Sequence, residues 1–197
     1  MNTVMLGIST LTSFGVSAAM FGMVAHGLIT GMLFFVAGSM KERYHTLEIA
    51  RLGGLLKQMP RLGWILGFSS MASLGLPGLA GFWGEFPAIL AAYEPAAGLN
   101  QSVFRVYMVI AALGTVLAAA YLLWLFQRVA FGEPKPEYAG DGHGHGHDDH
   151  AFHDVNKFEW FAWTPLLIGI LVFGVVPNLL FKVLDPAVHV VLSGFKG

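Results

Sequence analysis

The sequence predicts an all-α membrane protein with about four full transmembrane helices and a partial one at the N-terminus. The second full span is expected to be broken near its middle. Three observations carry this expectation. Of the 197 residues, 55% are hydrophobic and only 12% charged, with a mean hydropathy of +0.64; a soluble domain carries about twice that charged fraction. Apolar residues come in long runs parted by polar connections, and a helix needs roughly 20 such residues to cross a bilayer. One run is interrupted by glycines at 75, 78, 81 and 84 and by Pro77.

In chain order, residues 1–13 are apolar but too short to span. They read as the end of a span whose beginning lies outside the sequence, followed by an outer loop. Residues 14–131 hold three spans, at 14–40, 62–93 and 103–129. The run at 62–93 exceeds the crossing requirement by about a dozen residues, which fits a broken helix better than a strongly tilted one. Residues 132–160 form a His-rich connection, and residues 161–197 hold the last span, at 161–184, and a tail. The tail carries Pro186 and His189 and reads as an interfacial segment or a frayed end. Gly27 and Gly31, and Gly63 and Gly67, have the spacing that lets membrane helices approach closely. Trp64, Tyr93, Tyr107, Trp160 and Trp163 fall near span ends, where interfacial aromatics concentrate.

Loop charges set an orientation. The connection 41–61 holds Lys41, Arg43, Arg51, Lys57 and Arg61 against Glu42 and Glu48, whereas 94–102 holds no Lys or Arg. Basic residues return at Arg128, Lys135 and Lys157. The positive-inside rule then places 41–61 and 128–160 in the cytoplasm and the C-terminus outside.

Glu85 is the most informative single residue. No Lys, Arg, Asp or His lies between Arg61 and Glu94, so this carboxyl has no partner from its own segment. Ionisable residues at membrane depth are costly and mark ion or proton pathways. The glycines around it predict an unwound stretch, and discontinuous helices place freed backbone groups beside a site rather than against lipid. His26 lies near the midpoint of 14–40, and an imidazole changes charge readily near neutral pH. A buried carboxyl and an imidazole linked by water are the minimum equipment for a proton wire. Thr30 and Ser73 are candidates to line it. Arg105 and Lys182 lie close enough to span ends to snorkel.

Several classes are excluded or disfavoured. A net charge of −1 argues against nucleic acid as a partner. With no cysteine there is no disulfide, thiolate metal site or cysteine-ligated iron–sulfur cluster on this chain. No phosphate-binding loop and no nucleophilic triad is visible, so redox or hydrolytic chemistry belongs to other chains. The stretch 142–154 alternates His with Gly and Asp. His143, His145 and His147 are candidate metal ligands there, although a flexible solvated loop makes a weak site.

The motifs resemble a known family. Ala25-His26-Gly27-Leu28, Leu33-Phe34-Phe35-Val36-Ala37-Gly38, Glu42-Arg43-Tyr44-His45-Thr46 and Arg51-Leu52-Gly53-Gly54-Leu55 come in the family's order. Ser73-Leu74-Gly75-Leu76-Pro77-Gly78, Gly84-Glu85-Phe86 and Gln127-Arg128-Val129-Ala130-Phe131-Gly132 follow. Together they are similar to the antiporter-like membrane subunits of respiratory complex I, above all the subunit M (chain 4) branch, over nearly the whole chain. The resemblance implies an inverted-repeat fold in which 62–93 is the second broken helix. It also implies that Glu85 is a proton-loading residue and His26 part of a midplane relay. Sister branches mostly carry lysine at the position of Glu85, and a related branch carries lysine about where Thr30 stands. The glutamate and lysine of the family's first repeat are not in this sequence. The resemblance implies no cofactor on this chain, with NADH, FMN, iron–sulfur clusters and quinone on partner subunits. The implied setting is a bacterial inner membrane, beside other antiporter-like membrane-arm subunits. The D-type component of a multisubunit sodium/proton antiporter, or a purely structural membrane piece, are the alternative readings.

Overall fold

The computed structural model describes residues 2–136, 138 and 153–194. Its regular elements are helical: α1 (Asn2–Ser9), α2 (Ser13–Tyr44), α3 (Leu55–Gln58), α4 (Pro60–Ser73), α5 (Ala80–Ala91), α6 (Gln101–Ala130), α7 (Lys157–Val175) and α8 (Asn178–Ser193). Among them α2, α6 and α7 are each long and apolar enough to cross a membrane unbroken. The chain is a multi-pass membrane protein.

Helix α2 is the hub, with α1, α4, α5, α7 and α8 all packed on it. Its 32 residues are about 48 Å long, well beyond the roughly 30 Å of a bilayer's hydrocarbon core. Thr12 starts it by accepting a hydrogen bond from the Gly15 N–H, and His45, in the left-handed conformation, ends it. The buried stripe Phe21, Ala25, Ile29, Met32, Val36 and Met40 repeats every three to four residues, and so forms one face against the neighbouring helices. In contrast, α6 leaves most of its apolar surface exposed and touches α4 chiefly near its C-terminal end, where Gly67 faces the Phe126 ring.

One span boundary and one aromatic residue differ from expectation. The last span does not run through 161–184: α7 stops at Val175 and α8 begins at Asn178. Pro177 explains the stop, because a proline disfavours helical geometry in the residue before it, and Val176 has φ −123° and ψ 66°. The tail is thus most of a second, amphipathic helix, packed across the N-terminal end of α2 through Val188 and Leu192. Trp163 is also not an interfacial residue; it is buried in the core, while Trp64 and Tyr107 are exposed.

Candidate functional site

Between α4 and α5 the helix is broken over residues 74–79. Pro77 has no N–H to continue the ladder, and Gly75 and Gly78 take φ +70° and +91°, which only glycine adopts without strain. The end of α4 is closed locally: the Leu74 N–H donates to Ser70 O at 2.9 Å and the Gly75 N–H to Ala72 O at 3.2 Å. Gly81 and Gly84 are not part of the gap. They lie in α5, where they allow contact between backbones: a side chain at Gly81 would collide with the Ala72 carbonyl, and one at Gly84 with the backbone of Gly22.

Glu85 sits half-buried in the second turn of α5. Side chains on a helix lean towards its N-terminus, so the carboxylate folds back over the break. A methyl group built on Gly75 would stand 3.1 Å from Glu85 Oε2. The glycine therefore serves twice, by taking the left-handed conformation and by leaving room for the carboxylate. The carboxylate also faces the N-terminal end of α5, whose dipole favours negative charge. Across the gap Ser73 is half-buried at the end of α4. One turn earlier the hydroxyls of Ser69 and Ser70 are buried with no hydrogen-bond partner among the described residues. Buried polar groups almost always find a partner, ordered water included.

The break is also held from α7. The Trp83 indole N–H donates to Gly174 O at 2.8 Å, and Gly174 lies directly against Gly78 O and Leu79 Cα, where no side chain fits.

His26 is half-buried on α2, one turn beyond Gly22, about 6 Å along the axis. Gly22 meets Gly84, and the Ile29 side chain lies 3.4 Å from a methyl built on Gly81. Helices α2 and α5 therefore run antiparallel, with His26 between those two contact levels. The structure thus brings Glu85 beside Gly75, two residues past Ser73, and places His26 at a similar level on the neighbouring helix α2. Thr30 is exposed, one residue past buried Ile29 and turned about 100° away from it, so it does not share the face that Ile29 presents to α5. His143, His145 and His147 lie outside the described residues.

Sequence reading missed a polar clasp at the opposite end of α2. Arg43 donates to both carboxylate oxygens of Glu159, at 3.0 and 2.8 Å, and Ser39 Oγ donates to Glu159 Oε1 at 2.7 Å. Glu159 also completes a capping box with Asn156 at the start of α7. Asp154 accepts from the Arg61 N–H at 2.9 Å and the Leu62 N–H at 3.1 Å, and so caps α4 from a distant part of the chain. The Asn156-x-x-Glu159 spacing ahead of an apolar run was a legible signal for the capping box. The remote cap had none.

Residues 1–115 match the model of the NADH:quinone oxidoreductase/Mrp antiporter transmembrane family. The chain belongs to this family. Among its relatives, the NADH-quinone oxidoreductase subunit M of Rickettsia prowazekii is 35% identical over 195 residues. That of Rhodobacter capsulatus is 37% identical over 188 residues, and NADH-ubiquinone oxidoreductase chain 4 of Arabidopsis thaliana 33% over 188. These alignments cover 99%, 95% and 95% of this chain but only 36%, 33% and 34% of those antiporter-family proteins. The chain thus spans about a third of their length.

Solved structures agree. A chain of respiratory complex I from Thermus thermophilus with bound NADH superposes with TM-score 0.78 at 30% identity, over 97% of this chain and 36% of that one. A chain of the Mrp complex from Dietzia superposes with TM-score 0.76 at 19% identity, over 94% of this chain and 39% of that one, which shows the shared antiporter-type fold alone.

Proposed function

We propose that this chain is part of a proton-translocating membrane-arm subunit of an NADH:quinone oxidoreductase of the subunit M type, and that Glu85 loads and releases the proton. One observation carries the proposal: a carboxylate with no charged neighbour in its own segment is folded back into the gap of a broken helix. A carboxylate that only fastened helices together would be expected on a cation or a helix cap, as Glu159 is. His26 acts as the midplane relay. The buried hydroxyls of Ser69 and Ser70, with Ser73, supply bonding sites for the water that such a relay needs.

Electron transfer on partner subunits, which carry NADH, flavin, iron–sulfur clusters and quinone, changes the electrostatics along the arm. Moving one charge across a membrane involves roughly 2.3 kcal/mol per 100 mV. A swing of two units in a carboxyl's proton affinity is worth about 2.7 kcal/mol. One buried carboxylate is therefore energetically adequate as a gate. In this reading the basic connections 41–61 and 128–160 face the cytoplasm of a bacterial cell, the C-terminus lies outside, and neighbouring antiporter-like subunits are the partners.

The sodium/proton antiporter reading shares the fold, but the relatives named above carry NADH-quinone or NADH-ubiquinone oxidoreductase names. The test is proton uptake by inverted membrane vesicles bearing the full-length subunit. NADH-driven uptake that needs no sodium is expected. Sodium-dependent proton exchange without NADH would overturn the assignment.

A further inference from the structure

Three consecutive residues of α5 face three different parts of the structure. Trp83 donates its indole N–H to Gly174 O of α7 at 2.8 Å, Gly84 lies on the backbone of Gly22 in α2, and Glu85 folds back over the gap towards Gly75. Successive residues of a helix are turned by about 100°, so the first two contacts together set the direction of the third. They do not hold α5 in the same way. Gly84 meets Gly22 with backbone alone. That smooth contact sets how near the two helices come, but not how α5 is rolled about its axis. The indole bond is directional, because a hydrogen bond weakens steeply as it bends.

The acceptor is well placed to set the roll. Gly174 is the last residue but one of α7, so its carbonyl is among the four at a helix end that have no N–H of their own helix to accept from. The same residue lies against Gly78 O and Leu79 Cα, in the gap itself. One point on α7 therefore touches both the gap and the first turn of α5. A roll of about 20° would carry a group some 6 Å from a helix axis through about 2 Å. That is enough to take the Glu85 carboxylate out of the space beside Gly75.

We infer that Trp83 is a positioning residue for Glu85: its bond to Gly174 sets the roll of α5 and so keeps the carboxylate over the gap. The inference rests on the relay reading of Glu85 and adds to it the contact that aligns the carboxylate with the break. It also gives α7 a part in the relay, although α7 supplies no ionisable group near Glu85 among the described residues.

The test uses the assembled complex with the full-length subunit in proteoliposomes. Two quantities are read: protons moved per NADH oxidised, and the carboxyl C=O band of Glu85 in the redox-induced infrared difference spectrum, identified by its loss in Glu85→Gln. Trp83→Phe keeps an aromatic ring and loses the donor. Trp83→His loses the outer ring and keeps an N–H, since Nε2 occupies the place of the indole nitrogen in a five-membered ring. Both are read at about pH 8, where an ordinary imidazole is neutral. Trp83→Phe is expected to shift the band and lower the ratio, and Trp83→His to keep both closer to those of the unmodified complex. An unmoved band in Trp83→Phe would overturn the inference even if stability or the ratio fell, because a tryptophan that only packs helices gives that result. A Trp83→His complex as far shifted as Trp83→Phe would also overturn it, and this variant decides alone if Trp83→Phe does not assemble. Glu85→Gln separates the two ideas: if it lowers the ratio while Trp83→Phe leaves the band in place, only the positioning role fails. If Glu85→Gln removes no band and leaves the ratio unchanged, the relay reading fails, and the inference with it.

Discussion

Gly75 and Glu85 work as a pair: one supplies a left-handed turn and the space beside it, the other fills that space with a carboxylate. A residue other than glycine in the left-handed region costs about 1–2 kcal/mol. Gly75→Ala and Gly78→Ala should both lower the thermal midpoint of the purified complex by that strain. Only Gly75→Ala also crowds the carboxylate, since nothing lies within 4 Å of a methyl built on Gly78. Proton movement per NADH should therefore fall more in Gly75→Ala than in Gly78→Ala. Equal effects would mean that the space at Gly75 is irrelevant to Glu85.

The broken helix is two short helices held from outside. Helix α7 and the residues leading into it grip both halves: Asp154 caps α4, while Gly174 receives the Trp83 indole and seats the gap itself. Loss of an N-cap costs typically about 1 kcal/mol, and asparagine caps as well as aspartate. Asp154→Ala should thus lower stability by that amount while Asp154→Asn retains most of it, as read by thermal unfolding. Much of this element was legible in the sequence. Pro77 and the two positive-φ glycines announce the break, because backbone rules act locally and leave their mark in sequence. The split at Val176 and Pro177 was equally local, yet it was hidden by an apolar run that continues across the proline. The remote cap and the Arg43–Glu159 pair join residues more than ninety positions apart, and no spacing rule reaches that far. The same holds for close packing. The Gly-x-x-x-Gly pattern found Gly63 and Gly67, which pack against Leu56 and Phe126, but Gly27 has nothing within 4 Å, and the backbone contact of Gly22 on Gly84 lay outside the pattern.

Across the whole molecule, charge divides along the bundle. The clasp and most lysines and arginines sit at one end of α2, α8 packs on the other, and the α2–α5 seam, with Glu85 beside it, lies between them. That seam fixes the depth of the carboxylate, so its tightness should matter to the entire fold. A methyl on Gly84 would run into the Gly22 backbone, whereas one on Gly22 stands 3.2 Å from Gly84 Cα. Gly84→Ala should therefore destabilise by about 1–3 kcal/mol, the usual range for overpacking, and Gly22→Ala by less; thermal unfolding of the two variants checks the order. The central claim is tested most directly by the proton-to-electron ratio of the reconstituted complex bearing Glu85→Gln. Glutamine keeps the shape of the side chain but cannot carry the proton. The account predicts an assembled complex with a lowered ratio; a ratio equal to that of the unmodified complex would contradict it.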